Sequence, residues 1–151
     1  VPLERRLGML RKHHETLAAD VYTMPLASEI VLLTLTGRYE EALSLMRSHR
    51  FRIWEGGEGL HTTFVDANVL RGRELLKAGE PARAQALFEA AAEFPLNLEA
   101  KKYYASGRSC EVFYHQGVFY EAAGKTAEAR RAFEKAVAER QYAHSYGVPH
   151  Y

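Results

Sequence analysis

The chain has 151 residues, 47% of them apolar and 26% charged, which suits a globular domain with one sizeable core. Twenty basic residues against nineteen acidic ones leave a formal charge of +1, so the basic excess of a general nucleic-acid or anionic-membrane binder is absent. A single cysteine, Cys110, excludes an internal disulfide and a disulfide-stapled secreted scaffold, and no run of about 20 apolar residues offers a membrane span.

In chain order, Pro2 suits a first helical turn, and Leu3, Leu7, Leu10 and His14 follow at helical spacing, predicting a leading helix over 2–15. Asp20 is a capping candidate for a first hairpin over 20–49, with Pro25 near its start. Leu26, Ile30, Leu33 and Leu35 lie on or near one face of a helix that Gly37 stops, and Ala42, Leu43, Leu45 and Met46 point inward from a helix over 38–49. Residues 50–60, with Gly56, Gly57 and Gly59, read as a loop. A second hairpin over 61–94 follows. Its helices are expected at 61–78, with Leu70, Leu75 and Leu76, and at 80–94, with Ala84, Leu87, Phe88 and Ala91 inward and Pro95 as terminator. Residues 96–106 read as a second loop, and helices at 108–123 and 126–140 form a third hairpin before an irregular tail from Gln141.

One phrase recurs: Gly37-Arg-Tyr-Glu-Glu-Ala42, Gly79-Glu-Pro-Ala-Arg-Ala84 and Gly124-Lys-Thr-Ala-Glu-Ala129. Each copy ends one apolar helical stretch and opens another, which is the hinge of a helical hairpin. The expected fold is all-α, an α-solenoid of about seven antiparallel helices in three hairpins plus a leading helix, within a single domain over 1–151. The missing initiator Met and the abrupt last residues read as those of a fragment of a longer chain. The start lacks a signal-peptide core, which favours a cytoplasmic location.

The third hairpin resembles the tetratricopeptide repeat, with Gly117, Tyr120, Gly124, Ala129, Phe133 and Ala136 at its small and large positions, Phe113 in place of the early Trp and Gln141 in place of the closing Pro. The second matches with Gly72, Leu75, Gly79, Ala84, Phe88 and Ala91, and the first, more degraded, with Ile30, Leu33, Gly37, Ala42, Met46 and His49. The hinge glycines lie 42 and 45 residues apart, where that family repeats every ~34. The surplus falls in the two loops between hairpins, and long loops in a compact array are often functional. More narrowly, Gly37-Arg-Tyr-Glu-Glu-Ala-Leu, Arg50-Phe-Arg-Ile-Trp-Glu-Gly-Gly-Glu-Gly59 and Glu93-Phe-Pro-Leu-Asn-Leu98 look like the repeat region of large bacterial proteins with an N-terminal β-rich domain of uncharacterised function. That resemblance implies a context of further domains and no particular chemistry.

The sharpest local feature is Trp54-Glu55-Gly-Gly-Glu58-Gly, followed by His61. As a ligand loop it offers Trp54 for stacking on a sugar or peptide and Glu55 and Glu58 as hydrogen-bond acceptors. The competing reading makes Trp54 a staple holding the loop to its hairpin, with a glutamate capping the next helix. The second loop interleaves cations and tyrosines among Asn97, Lys101, Lys102, Tyr103, Tyr104 and Arg108, suited either to an anionic or sugar ligand or to an ordinary solvated surface. Both loops are expected on the same side of successive hairpins. No apolar pocket accompanies the two carboxylates, so no catalytic residue is assigned. His13 and His14 point about 100° apart on a helix and make poor joint ligands, so no metal or cofactor is expected.

By repeat register the first helices of the hairpins line a groove with Met24, Ala27, Val31, Asp66, Val69, Arg73, Lys77, Glu111, Tyr114, Val118 and Glu121. Ala27 and Val31 hold neither the lysine nor the asparagine with which some tetratricopeptide proteins clamp a C-terminal carboxylate. The expected function is non-catalytic binding of a protein, a peptide or another domain of the same polypeptide, with no nucleic acid and no membrane. The alternative is an accessory carbohydrate-binding surface formed by the 50–60 and 96–108 loops beside an enzyme domain. A homodimer through the terminal repeats is a further expectation, because neither end carries a polar capping helix.

Overall fold

The computed structural model describes residues 2–14, 24–51, 59–98 and 109–143. Among them are seven α-helices and no strand: α1 (Leu3–His14), α2 (Met24–Leu35), α3 (Tyr39–Ser48), α4 (Gly59–Lys77), α5 (Pro81–Ala90), α6 (Ser109–Ala122) and α7 (Thr126–Ala143), with a 3₁₀ turn at Leu96–Leu98. Neighbours in sequence pack together from α1 to α5, as do α5, α6 and α7 in succession. Alternate first helices also touch, α2 against α4 and α4 against α6. This is an all-α helical-repeat fold, with α1 set against α2.

The hinges follow from local geometry. Gly37, Gly79 and Gly124 have φ of 78°, 77° and 70°, a left-handed conformation open to glycine at little cost. Each closes its helix in one way. The glycine N–H reaches back three residues, to the Thr34, Leu76 and Glu121 carbonyls, and the next N–H reaches back five, to Leu33, Leu75 and Tyr120. The residue after the glycine then caps the following helix, since the Arg38, Glu80 and Lys125 carbonyls accept from the amides of Ala42, Ala84 and Ala129. Those alanines are 0%, 0% and 5% exposed, because each sits where the two helices of its hairpin meet.

Small residues let the hairpins close. A Cβ built on Gly72 would stand 2.9 Å from the Phe88 ring, and one on Gly117 would overlap the Phe133 ring. The core divides in two. Leu7, Ile30, Leu33, Leu43, Met46, Phe64 and Ala67 join α1 through α4, and Val65, Val69, Leu75, Ala84, Phe88, Val112 and Phe119 join α4 through α6. Burying each large side chain contributes roughly 1.5–3 kcal/mol.

Several boundaries differ from expectation. The second helix of hairpin two stops at Ala90, not at 94. The amides of Ala92 and Glu93 bond three residues back, a tightening that releases the chain ahead of Pro95, whose neighbour disfavours the α conformation. The last helix runs on to Ala143, because Gln141 continues a helix where proline would end it. Leu35 is 63% exposed: two residues on from buried Leu33, it falls on the opposite side of α2. The loop expected from 96 begins with an ordered turn whose Leu98 is buried in the first core.

Candidate functional site

Trp54, Glu55, Glu58, Lys101 and Tyr104 lie outside the described residues. Their two described companions are both engaged in packing. His61 is 7% exposed; its ring stacks on Phe94 at 4.8 Å between centroids, and Nε2 lies 3.0 Å from the Glu93 carbonyl oxygen beyond the end of α5. Asn97 donates from Nδ2 to the Met46 and His49 carbonyls at 2.6 and 2.8 Å, covering the C-terminal end of α3. Its own carbonyl accepts from the Phe51 amide at 2.8 Å. The two loops therefore meet at their described ends, and Asn97 joins them as part of the fold.

The groove residues fall differently. Counted from the hinge glycines, Val31, Arg73 and Val118 are equivalent, as are Leu35, Lys77 and Ala122, and all six are exposed. Since α2, α4 and α6 pack side by side, these positions form one surface across the array. One turn further back, Ala27 and Val69 are 8% and 3% exposed and belong to the cores, whereas Tyr114 is 53% exposed. The Tyr114 ring lies 6.0 Å from Phe133 and 5.5 Å from His115, which fixes the ring on the surface of α6. Asp66 and Glu111 are half-buried, Glu111 with an oxygen 4.0 Å from His115 Nε2, and Glu121 is exposed near the end of α6.

The charged residues of α4 are unevenly satisfied. Arg71, two residues before Arg73, is held by Glu40 and Glu74 at 3.0 Å each, and both hold its guanidinium firmly in the charged form. Arg73 and Lys77 make no ion pair with any described residue. They stand on the central first helix, with Val31 and Leu35 on one side and Tyr114 and Val118 on the other. The face thus reads apolar, basic, apolar from α2 to α6.

On the far side of the first hairpin an ionic network ties the leading helix down. Arg11 Nε bonds buried Glu29 at 2.7 Å and its other end meets Glu41 at 3.0 Å, while Arg38 bonds Glu41 at 2.6 Å. The Arg38 guanidinium, with Arg11 behind it, holds the Glu41 carboxyl below the usual carboxylate range despite some opposing desolvation. Reading the sequence missed Glu29, although a lone carboxylate in the apolar run Met-Pro-Leu-Ala-Ser-Glu-Ile-Val-Leu was a visible sign of a specific partner.

Among the described residues no cluster of His, Cys, Asp and Glu is placed to hold a metal ion, and no helix is long and apolar enough to cross a membrane. Cys110, second residue of α6, is a half-buried free thiol. Compared with known proteins, the chain matches no family model and no solved structure.

Proposed function

We propose that this chain is a non-catalytic repeat module of the tetratricopeptide type, binding a peptide or protein segment across the first helices of its hairpins. The observation that carries the reading is the pair Arg73 and Lys77, exposed on α4 without an ion-pair partner among the described residues and flanked by exposed Val31, Leu35, Tyr114 and Val118. Cations without partners between apolar stations favour a ligand segment with a carboxylate between two apolar side chains. The carboxylate gains two charge-assisted bonds, and the apolar flanks leave water. Tyr114 supplies a rigid aromatic anchor of the kind that dominates binding energy.

The test uses fluorescent synthetic peptides that place glutamate, or lysine in a control, between leucine and phenylalanine. Anisotropy should rise saturably with the glutamate peptide alone, weaken with salt, and be lost in the Arg73→Glu/Lys77→Glu double variant with unchanged thermal stability. Equal binding of the two peptides, or binding unchanged in the double variant, would refute this reading.

A further inference from the structure

The last hairpin repeats a surface that the two before it bury. Counted from the hinge glycines, Met46, Phe88 and Phe133 are equivalent, and Met46 and Phe88 are 1% and 2% exposed. Each is covered by the first helix of the next hairpin, α4 packing on α2 and α3 and α6 on α4 and α5. Phe133 is half-exposed and Val137 is 71% exposed. Ala129, Phe133 and Val137, four residues apart on α7, form the floor of an open groove whose rim carries Glu121, Arg130 and Glu134. Arg130 and Glu134 satisfy each other at 2.8 Å, so among the described residues the floor and not the rim is what lacks a cover.

The interior interfaces show the chemistry that covers such a floor. From α4, Leu60, Phe64 and Ala67 enter the core that contains Met46. From α6, Val112 and Phe119 enter the core that contains Phe88, and the His115 ring stacks over Phe88 at 6.4 Å. Both covers are helices that present apolar residues seven apart, Leu60 and Ala67 on α4 and Val112 and Phe119 on α6, one side of two turns. One difference bears on the occupant. Phe88 lies near the end of α5, and its carbonyl accepts from Gln116 Nε2 at 2.8 Å. Phe133 lies well inside α7, which continues to Ala143, so its carbonyl falls within the helix's own ladder and asks nothing of a cover. The apolar stripe instead extends one turn further, to Val137.

We propose that this end face of α6 and α7 docks one helix of a partner protein, with apolar residues at i, i+4 and i+7 and no obligatory amide donor between them. The surface continues the two interior helix-on-hairpin interfaces, and it adjoins the Arg73 and Lys77 face at Tyr114, whose ring lies 6.0 Å from Phe133.

The probe is a synthetic helical peptide with the sequence of α6, residues 109–122, titrated into the whole chain by isothermal calorimetry. Its natural seat on α5 is occupied in cis, which leaves the open end as the place to bind. Saturable binding is expected, weakened ~10-fold or more by Val137→Asp, which sets a charge in the apolar contact. Binding should be unaffected by Arg73→Glu, and also by Met9→Asp at the other end of the array. Because Val137 is exposed, Val137→Asp should melt at the wild-type temperature. No saturable binding, or equal binding by Val137→Asp, overturns the proposal. A concentration-dependent dimer in sedimentation that Val137→Asp abolishes overturns the choice of occupant in favour of a second copy of this chain.

Discussion

Replacing Gly72 with alanine sets two known effects against each other. Alanine is a better helix former than glycine by ~1 kcal/mol, so on propensity alone the change should stabilise α4. The new Cβ, however, would stand 2.9, 3.0 and 3.3 Å from three atoms of the Phe88 ring. Ordinary carbon contacts lie at about 3.5–4.0 Å, so the ring must withdraw by roughly half an ångström or more. It has nowhere to go: Phe88 is 2% exposed, with Phe119 at 6.0 Å and His115 at 6.4 Å between centroids. Overpacking of a closed core costs ~1–3 kcal/mol, which leaves a net loss of up to ~2 kcal/mol after the propensity gain. Urea unfolding followed by circular dichroism measures it, and a cycle with Phe88→Leu isolates the cause. With the ring removed, Gly72→Ala should turn stabilising by ~1 kcal/mol, giving a coupling of ~1–3 kcal/mol. Gly72→Ala stabilising the wild-type chain, or adding to Phe88→Leu without coupling, would refute the close-approach argument.

Asn97→Ala should lower stability by ~1–3 kcal/mol, since it strips the amide from two carbonyls at the end of α3; Asn97→Asp should cost at least as much, because it turns a carboxylate toward them, and urea unfolding of both variants checks the pair. The Glu41 carboxyl is held low by Arg38 and then Arg11, so its folded pKa is depressed. Its contribution is therefore fully present above the unfolded value near 4.5 and is lost as pH falls through the lower folded value. The melting temperature should fall below pH 4.5, and Glu41→Gln should flatten that fall without removing it.

The hinges were legible because they depend on one residue each. A left-handed turn between two helices needs glycine, and the buried alanine five residues on needs to be small, so the phrase carries its own geometry. Gly72 and Gly117 were readable as small positions and Phe88 and Phe133 as large ones of the same hairpins, whereas the ring that each glycine meets came from the structure. What escaped reading depends on contacts distant in sequence. Glu29 on an apolar helix makes sense only beside Arg11, and Phe51 only beside Asn97, 46 positions later. Leu35 misled because a hydrophobic residue near a helical stripe reads as core, although its angular position sets it outside. On the proposed binding face, Arg73 and Lys77 could be placed from the register, but that they, unlike Arg71, have no ionic partner among the described residues was visible only once α3 stood next to α4.

The surplus length between hairpins reads differently once its described ends are seen. Long surface connections usually cost little, since closure entropy grows slowly with length, and they can be trimmed or extended with small effect. Here the first loop opens on Phe51, 1% exposed, and the second on Asn97 and Leu98, the latter 8% exposed, with Phe51 and Leu98 in the same core. The Phe51 amide bonds the Asn97 carbonyl, and the Asn97 side chain covers the end of α3, so the two loop ends close that core where it would otherwise open to water. Cutting the spacing back to the shorter repeat by removing these residues would forfeit the burial of two large side chains, roughly 1.5–3 kcal/mol each, and uncover helix carbonyls as well. The long spacing thus begins as structure, and any recognition by the rest of the loops is built on ends already committed to holding the first two hairpins together.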